Sequence, residues 1–493
     1  MAKIQVSNLT FAYDGSHDYV FEDVGFHLDT DWKLGFIGRN GRGKTTFSKL
    51  LLGEYDYSGT ISAPCDFAYF PYAVRDERLN TIEVVEEVCP DYVYWELMRE
   101  FRLIELAEDV LYRPFGMLSQ GERTKVLLVL LFLKEDRFLL IDEPTNHLDA
   151  RGRSLVCAYL NGKKGFILVS HDRSFLDNCV DHILSINKTN IEVQRGDFSS
   201  WMLNKQRQDD FELAQSEKLK KDMKRLSSAA KRTCMWSDKV EATKQGTRTG
   251  GLRPDTGYIG HKSAKMMKRT KSIERRHQEA FDKKAGLLKN MESEENLKIA
   301  QTAYRTDRLV SLAGVSIFYG EQIVCKDLSF EVNQGERIAL HGRNGTGKSS
   351  VLRLILGEEL SYSGECRKGS NLSISYVSQE TSFLSGTLSD FAHERGIDES
   401  RLKAILRKLD FSREQFEKDM SHFSEGQKKK VLIAGSLCEQ AHLLIWDEPL
   451  NYIDVVSRMQ IERVLLSFEP TILFVEHDAA FCEAIATKNI VLG

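Results

Sequence analysis

The stretch GRNGRGKT at Gly38–Thr45 decides the fold of this 493-residue chain, and it returns as GRNGTGKS at Gly342–Ser349. Both copies fit the pattern G-x-x-x-x-G-K-[ST] between a short apolar run and a helical segment. In such a loop the glycines let backbone N–H groups approach phosphate oxygens, and the start of the next helix adds positive potential. A glycine turn before a helix is the alternative for a single match. Two matches in equivalent places predict two phosphate-binding loops.

The rest of the chain repeats with the same spacing, so that landmarks of the first half return about 305 residues later. The pairs are LSQGE at 118–122 with FSEGQ at 423–427, FLLIDEP at 138–144 with LLIWDEP at 443–449, and VSHD at 169–172 with VEHD at 475–478. Their short apolar runs suit strands that are buried on both faces of a parallel sheet. We therefore predict an α/β protein with two tandem P-loop domains, residues 1–203 and 309–493.

The segment between the two copies, residues 204–308, differs in composition. It holds 26 Lys and Arg against 15 Asp and Glu, although the whole chain has a net charge of −4. Spacings of three and four recur in two stretches, which predicts two helices packed as an antiparallel hairpin. The residues are Leu219, Met223, Leu226 and Ala230 in the first stretch, and Ile273, His277, Ala280, Lys284, Leu287 and Met291 in the second. Five glycines and one proline in Gly246–Gly260 predict an irregular tip. A basic linker that meets a polyanion is one interpretation, and a solvated charged helix pair is the other.

Composition excludes several classes of protein. Hydrophobic residues make up 42% and charged residues 28%, which is typical of a soluble globular protein. The longest apolar run, Val126–Leu133, has eight residues, whereas a membrane helix needs about 20. The first residues, Met1–Asn8, lack the apolar core of a secretory signal. Nine scattered cysteines without a C-x-x-C pair indicate reduced thiols, so we expect a cytoplasmic protein.

The phosphate loops assign roles to their own residues. Lys44 and Lys348 are expected to reach the β- and γ-phosphates of ATP, and the hydroxyls of Thr45 and Ser349 are expected to bind Mg²⁺. The other predicted nucleotide-binding residues of the loops are Gly38, Asn40, Gly41, Gly43, Thr46, Gly342, Asn344, Gly345, Gly347 and Ser350.

An Asp-Glu pair ends the apolar run of FLLIDEP and of LLIWDEP. Asp142 and Asp447 are placed to hold Mg²⁺, and Glu143 and Glu448 are placed to polarise or deprotonate an attacking water. An acidic pair that only caps a helix is the alternative. That alternative does not explain why a phosphate loop accompanies each pair.

The LSQGE and FSEGQ motifs resemble the signature of the ATP-binding cassette (ABC) superfamily, in which the signature of one domain contacts the γ-phosphate bound by the other. The resemblance implies two composite sites within a monomer, because both domains lie on one chain. In the first composite site, Lys44, Asp142, Glu143 and His171 meet Ser424 and Gly426. In the second composite site, Lys348, Asp447, Glu448 and His477 meet Ser119 and Gly121.

The same resemblance implies roles for histidine, glutamine and tyrosine residues. His171 and His477 correspond to the switch histidines that contact the γ-phosphate. Gln379 corresponds to the Q-loop glutamine, which contacts nucleotide and Mg²⁺. Tyr13 and Tyr319 resemble the aromatic residues that stack on adenine, with a place in the core or in a turn as the alternative.

Three residues depart from the family pattern. Tyr72 stands at the position of a Q-loop glutamine, Glu425 at that of the second signature glycine, and Leu450 at that of a threonine. These departures leave open whether the two composite sites are equivalent, although both retain the glutamate expected to be catalytic.

EPTNHLD at 143–149 and the charged interdomain linker together resemble the ABC-F family, whose soluble members act on ribosomes. Two stretches resemble more narrowly its Lsa-type antibiotic-resistance proteins, namely GLRPDTGYIGHKSAKMMKR at 251–269 and FSEGQKKKVL at 423–432. The resemblance implies an ATPase that binds the ribosome at the tRNA exit site in its ATP-closed form and is released by hydrolysis. Its linker would reach the P-site tRNA and the 23S rRNA near the peptidyl transferase centre. There it would protect the ribosome from lincosamides, pleuromutilins and streptogramin A.

Two other functions remain open at the level of the sequence. An ABC-F translation factor would rescue stalled ribosomes without conferring resistance, and the ATPase module of a drug exporter would serve a separate membrane partner. The basic linker favours the ribosome over the exporter. Within the linker, Trp236 and Tyr258 are candidates for stacking on bases, with helix packing and a turn as their respective alternatives.

Overall fold

The computed structural model describes most of the chain. The described residues are 3–15, 19–134, 137–146, 148–187, 190–242, 257, 261, 264–273, 275, 276, 278, 302–320, 322–343, 345–409 and 411–492. Outside them lie predicted residues of the second loop, the linker tip and the second apolar repeat, namely Asn344, Gly246–Gly260 apart from Gly257, His277, Ala280, Lys284, Leu287 and Met291. Tertiary contacts divide the chain into two compact units, Met1–Ser199 with Glu294–Gly493, and Ser200–Ser293.

The first α/β domain is built from strands and short helices that alternate along the chain. Its strands are β1 (Lys3–Phe11), β2 (Phe21–Asp29), β3 (Lys33–Ile37), β4 (Ser58–Ser62), β5 (Asp66–Phe70), β6 (Arg137–Asp142), β7 (Phe166–Val169), β8 (His182–Ile186) and β9 (Ile191–Arg195). Its helices are α1 (Lys44–Leu51), α2 (Thr81–Val88), α3 (Tyr94–Leu103), α4 (Gln120–Leu133), α5 (Ala150–Asn161) and α6 (Arg173–Cys179).

The central sheet of this domain has the strand order β5-β6-β7-β3-β8-β9. Its first five strands are parallel, and β9 runs antiparallel to β8. A separate antiparallel sheet has the order β2-β1-β4. Strand β3, which leads into the phosphate loop, lies between β7 and β8. The carboxyl ends of β3, β6 and β7 therefore meet at one edge, where ligands of parallel α/β sheets bind.

Helix α7 (Phe198–Ala242) confirms that the first arm of the linker is helical. Its 45 residues extend about 67 Å at 1.5 Å per residue. Leu219, Met223 and Leu226 are half-buried while most neighbouring residues are exposed, as a one-sided apolar repeat predicts. Trp236 is 65% exposed, which does not fit the alternative that it packs between helices.

Residues 264–273 form a further helical stretch of the linker. Met266, Thr270 and Ile273 are its less exposed residues, while Lys265, Lys268, Arg269 and Lys271 are exposed. Pairing of the two arms as a hairpin remains a prediction. None of the described helices combines the length and the apolar character that a membrane span requires.

The second α/β domain repeats the plan of the first. Its strands are β10 (Arg308–Tyr319), β11 (Gln322–Asn333), β12 (Arg337–His341), β13 (Ser361–Lys368), β14 (Ile374–Val377), β15 (Leu443–Asp447), β16 (Ile472–Val475) and β17 (Lys488–Val491). Its helices are α8 (Lys348–Leu356), α9 (Leu388–Glu394), α10 (Glu399–Lys408), α11 (Glu425–Cys438), α12 (Val455–Phe468) and α13 (Ala479–Ile485). The central sheet has the order β14-β15-β16-β12-β17, with all strands parallel, beside an antiparallel sheet β11-β10-β13. The predicted tandem repeat is thus confirmed in the five parallel strands of each central sheet, while the antiparallel edge strand β9 has no counterpart among the described strands of the second domain.

Aromatic packing holds the helix after the first phosphate loop in place. Phe47 of α1 is fully buried, and its ring lies edge-on to Phe36 of β3 at 5.5 Å and to Phe21 of β2 at 6.1 Å. Burying a phenylalanine contributes about 1.5–3 kcal/mol. One side chain therefore anchors α1 to both sheets of the domain, which fixes the N-terminus that faces the loop.

Candidate nucleotide-binding and hydrolysis sites

Each phosphate loop enters its helix through a left-handed glycine. Gly43 and Gly347 precede α1 and α8 with φ of 95° and 83°. A Cβ on Gly43 would lie 2.6 Å from Val20 Cγ1, and one on Gly347 would lie 2.9 Å from Val324 Cγ1. Glycine alone satisfies both the backbone and the space. The free N–H groups at the helix start consequently face the loop, where they can bind an anion.

The loop lysines are buried and curl back onto their loops. Lys44 Nζ donates to the carbonyl oxygen of Gly38 at 2.7 Å, and Lys348 Nζ donates to that of Gly342 at 2.9 Å. Burial lowers the pKa of both lysines. A poorly solvated cation beside a cradle of N–H groups is suited to bind the phosphates of a nucleotide.

Asp142 and Asp447 end β6 and β15 opposite the hydroxyl groups of the loops. Thr45 Oγ1 donates to Asp142 Oδ2 at 3.4 Å, and Ser349 makes the equivalent hydrogen bond to Asp447. Burial raises the pKa of both aspartates. Asp447 Oδ1 is buried without a hydrogen-bond partner among the described residues. A hydroxyl next to a buried carboxylate oxygen fits Mg²⁺, which prefers oxygen ligands.

The protein supplies few side-chain ligands to such a metal site. Among the described residues there is no group of three or more His, Cys, Asp or Glu side chains that could hold a metal ion. Mg²⁺ at either aspartate would therefore depend on nucleotide phosphates and water for the rest of its shell, as it does in many phosphate-transfer sites.

A tyrosine beside each aspartate was missed by sequence reasoning. Tyr69 OH donates to Asp142 Oδ2 at 2.8 Å. Tyr376 occupies the equivalent register of the second sheet, where burial and the charge of Asp447 raise the pKa of Tyr376 to about 12. The repeat could have revealed this pair, because the two tyrosines recur at nearly the spacing of the other landmarks.

The two glutamates share a backbone conformation and a histidine neighbour. Glu143 and Glu448 have φ of 49° and 46°, in the left-handed region that residues other than glycine rarely adopt. His171 Nε2 lies 3.4 Å from Glu143 Oε1, and His477 Nε2 lies 3.5 Å from Glu448 Oε1. Strained residues of this kind cluster at functional sites.

The signature serines cap helices. The Oγ atoms of Ser119 and Ser424 accept the backbone N–H group three residues later at 3.2 and 3.3 Å. Each cap places its serine at the N-terminus of α4 or α11 and places Gly121 or Gly426 in the first turn. The positive end of the helix dipole then favours an anion next to each signature.

The first composite site is closed across the two domains. Asn40 Nδ2 of the first loop donates to the carbonyl oxygen of Tyr452 at 2.7 Å. A Cβ on Gly426 would lie 2.3 Å from this carbonyl oxygen and 3.1 Å from Asn40 Nδ2, so glycine is required for the approach. The structure thus brings the second signature against the first phosphate loop.

The second composite site is a cleft of ≈ 420 Å³ between the domains. Its walls come from both domains. The first domain contributes the start of α4 and the loop after β6, and the second contributes its phosphate loop, Gln379, Glu448 and His477. The walls include Gln120, Asn146, Leu148, Gly345, Gly347, Lys348, Ser349, Ser350, Gln379, Glu448 and His477.

Two arginines of the first domain also reach the second domain, and no sequence signal pointed to them. Arg153 Nη1 donates to Asp172 Oδ2 at 2.9 Å and to the carbonyl oxygen of His477 at 3.1 Å. Arg173 forms an ion pair with Glu462. Arg153 therefore connects the residue after one switch histidine with the switch histidine of the other domain.

The two glutamates differ in the side chains that hold them. Glu448 Oε2 accepts hydrogen bonds from Gln379 Nε2 at 2.8 Å and from Asn451 Nδ2 at 2.7 Å. In the first domain Tyr72 takes the place of Gln379, and Glu143 Oε1 is buried without a hydrogen-bond partner among the described residues. The assignment of Gln379 as a Mg²⁺ ligand stays a prediction, because its amide nitrogen faces the glutamate.

The pKa values of the two glutamates shift in opposite directions. Burial and the neighbouring Asp142 raise the pKa of Glu143 to about 8. Burial also disfavours the charged form of Glu448, but hydrogen bonds and the charges of His477 and Lys348 outweigh it and lower the pKa of Glu448. The two glutamates therefore differ in their electrostatic surroundings.

The two adenine candidates lie at the rim of the loops. Tyr13 and Tyr319 are each 46% exposed. Their hydroxyls share hydrogen bonds with Thr46 Oγ1 at 2.6 Å and with Ser350 Oγ at 3.2 Å. The alternative of a core position does not fit this exposure, and a ring beside the loop is available for stacking.

Two departures from the family pattern serve contacts within the second domain. Glu425 accepts a hydrogen bond from Thr381 and lies 3.7 Å from Lys428 Nζ. Leu450 is fully buried, and its N–H group donates to Glu476 Oε2 at 3.1 Å. Neither of these contacts involves Ser424 or Glu448.

A protein-family model described as ABC transporter matches residues 21–146 and 325–451. These ranges make up half of the chain and contain both phosphate loops, both signatures and both Asp-Glu pairs. The chain belongs to the ABC transporter family. Its two α/β domains are tandem ABC ATPase domains, and the protein is an ATPase.

Relatives match along almost the whole chain. The ribosome protection protein VmlR of Bacillus subtilis (strain 168) is 28% identical over 486 residues, which cover 98% of this chain and 85% of VmlR. The energy-dependent translational throttle protein EttA of Escherichia coli (strain K12) is 26% identical over 522 residues, which cover 95% of this chain and 88% of EttA. These similarities support the resemblance to the ABC-F family.

Solved structures show the same architecture. The crystal structure of archaeal ribosome recycling factor aABCE1, in complex with the archaeal ribosomal stalk protein aP1, is similar with a TM-score of 0.64. It is 18% identical in sequence, and the match covers 98% of this chain and 87% of that chain. At this identity the likeness shows the tandem ABC fold alone.

Proposed function

We propose that the chain is a cytosolic ABC-F ATPase that binds the ribosome and protects the peptidyl transferase centre from antibiotics. The ATP-closed form would occupy the tRNA exit site, and hydrolysis would release it. The linker would act on P-site tRNA and 23S rRNA near the binding sites of lincosamides, pleuromutilins and streptogramin A.

The observation that carries this proposal is the similarity to VmlR, a ribosome protection protein, over 98% of the chain. The similarity covers the linker as well as the ATPase domains, whereas an isolated ATPase module would need no such linker. The linker also has the charge for a nucleic-acid partner, with a surplus of eleven basic residues over acidic ones in 204–308.

The composite sites supply the ATP-dependent step. Closure would bring the signature serine of one domain to the γ-phosphate held by the lysine of the other. Glu143 and Glu448 would orient the attacking water, with His171 and His477 beside them. Mg²⁺, when bound at Asp142 and Asp447, neutralises phosphate charge.

The exposed surface of the linker fits a role in binding RNA. Trp236 and Met235 of α7 are 65% and 61% exposed, and lysine and arginine side chains surround them along the helix. Aromatic groups stack on unpaired bases, while basic groups bind phosphates. The tip Gly246–Gly260 is proposed to determine which drugs are resisted.

An in vitro translation assay with a panel of drugs that bind the large ribosomal subunit tests the proposal. Added protein and ATP should restore translation inhibited by lincosamides, pleuromutilins or streptogramin A. Translation inhibited by a drug of the small subunit is the matched control and should stay inhibited.

The alternatives give different results. A translation factor without a resistance role would restore stalled synthesis in the absence of drug and leave drug inhibition unchanged. An exporter module would lower drug accumulation in cells and have no effect in the cell-free assay. Either outcome would contradict the proposed protection.

A further inference from the structure

Lys429 is a buried lysine of helix α11 that the sites described above do not use. Its side chain is 1% exposed. Nζ donates to the carbonyl oxygen of Ser378 at 2.7 Å and to that of Glu448 at 3.1 Å. Lysine is almost never fully buried unless it is paired, so two short bonds to backbone carbonyls in two different segments indicate a specific task.

The two carbonyl groups belong to the segments that form the second composite site. Ser378 directly precedes Gln379, and Gln379 Nε2 donates to Glu448 Oε2 at 2.8 Å. Lys429, Ser378, Gln379 and Glu448 thus form a closed ring of covalent and hydrogen bonds. Lys429 holds the backbones of Ser378 and Glu448, and the side-chain amide of Gln379 holds the carboxylate of Glu448.

The electrostatic surroundings of the lysine are acidic. Burial lowers the pKa of Lys429 to about 8, while the charges of Glu476, Asp447 and Glu448 oppose that shift. Glu476 is itself buried, at 4% exposure. These carboxylates therefore favour the charged form of Lys429, which burial in an apolar environment alone would disfavour.

The first domain has no such ring among its described residues. Thr124 of α4 takes the place of Lys429, and its hydroxyl donates to Gln120 within the same helix at 2.9 Å. Tyr72 takes the place of Gln379. The carboxylate of Glu143 instead has a backbone hydrogen bond from His171.

We propose that Lys429 is a positioning residue for ATP hydrolysis in the second composite site, where it fixes the two segments that carry Gln379 and Glu448. The inference rests on the role of Glu448 proposed above. Because the first composite site lacks the ring, the second hydrolyses ATP faster. A displacement of about 1 Å at a reacting group can cost 100-fold in rate.

Two backgrounds separate the sites in the full-length protein. Glu143→Gln leaves hydrolysis at the second composite site, and Glu448→Gln leaves it at the first. Lys429→Met keeps an unbranched side chain, one atom shorter, but removes its donors and charge. In the Glu143→Gln background it should lower kcat by about tenfold or more while KM for ATP changes little. In the Glu448→Gln background it should leave the residual rate unchanged.

Matched variants exclude a merely structural effect. Lys428→Met removes the same charge from the adjacent residue and should not lower kcat in the Glu143→Gln background. Lys429→Arg retains charge and donors and should recover part of the rate. If Lys429→Met does not fold, Lys429→Gln takes its place, because its shorter side chain cannot reach both carbonyl oxygens. It should lower kcat in the Glu143→Gln background in the same way.

Three results would overturn the inference. The first is an unchanged kcat in the Glu143→Gln background. The second is an equal loss in both backgrounds, which would show a general effect on folding. The third is full hydrolysis in the Glu448→Gln variant with Lys429 intact, which would remove the proposed role of Glu448 and the inference with it.

Discussion

Glu143 and Glu448 stand at equivalent positions after β6 and β15, but their side chains meet different neighbours. Glu448 accepts hydrogen bonds from Gln379 and Asn451, whereas Glu143 Oε1 is buried without a donor among the described residues. A residue that orients water works best from a fixed position. The difference between the sites therefore comes from the residues around the motif and not from the motif itself.

The first prediction compares single variants of the two glutamates. Glu448→Gln should lower steady-state ATPase turnover by about 100-fold, because it removes the better positioned group. Glu143→Gln should lower it by less than about twofold, because the faster second site still hydrolyses ATP. Turnover is measured at saturating ATP with phosphate release as readout. Equal losses in both variants would show that the two sites contribute equally.

Single residues also show how far the sequence alone could lead. The loop lysines, the Asp-Glu pairs and the histidines were found because the repeat gives each a partner at constant spacing. Arg153 and Lys429 were not found, because their partners, His477 and Ser378, are distant in sequence. Such contacts depend on how separate segments meet in three dimensions, and no local pattern encodes them.

At the scale of elements, the parallel pairing of the central strands was more predictable than the ends of helices. The parallel sheet follows from short apolar runs that end at chemical motifs. Helix α1 begins at Lys44, directly after left-handed Gly43, which sets the helix start. Helix α7 begins at Phe198, before the predicted boundary at 203, since its first turn contains the buried Phe198 and Trp201.

The second prediction concerns the basic surface of the linker helix. Lys265, Lys268, Arg269 and Lys271 are exposed within the helical residues 264–273. Changing all four to glutamate should weaken ribosome binding and make it less sensitive to salt. The slope of log binding constant against log salt concentration should flatten by about 0.7–0.9 for each lost phosphate contact. Ribosome binding is measured by co-sedimentation at several salt concentrations.

Two controls accompany this experiment. Arginine at the three lysine positions keeps the charge and should preserve the slope. ATPase activity without ribosomes should be unchanged in the glutamate variant. An unaltered salt slope would show that the linker charge is only a solvated face.

At the scale of the whole molecule, two ATPase domains on one chain can close on ATP without a second copy. Asn40 and Tyr452 already join the domains in the first composite site, and Arg153 and His477 join them near the second. Closure can thus be coupled to a partner that recognises only the closed form. The tip Gly246–Gly260 lies outside the described residues apart from Gly257, so its part in that recognition is a prediction from sequence.

The third prediction separates binding from protection. Replacing Gly246–Gly260 by a short Gly/Ser turn should leave both ATP sites and most of the basic linker intact. ATP-dependent ribosome binding should persist, while resistance to lincosamides and pleuromutilins is lost. Co-sedimentation and the minimum inhibitory concentration in a sensitive host measure the two effects. Full resistance without the tip would exclude it from the mechanism.

The central claim is that ATP closes the two domains into a form that stays on the ribosome until hydrolysis. The most direct test is the double variant Glu143→Gln with Glu448→Gln, which should bind ATP and close but not hydrolyse it, because neither water has its orienting carboxylate. Co-sedimentation with ribosomes is measured with ATP, with ADP and without nucleotide. The double variant should sediment with ribosomes only with ATP, and under the same conditions it should inhibit translation. A double variant that binds ATP but remains free of ribosomes would contradict the account.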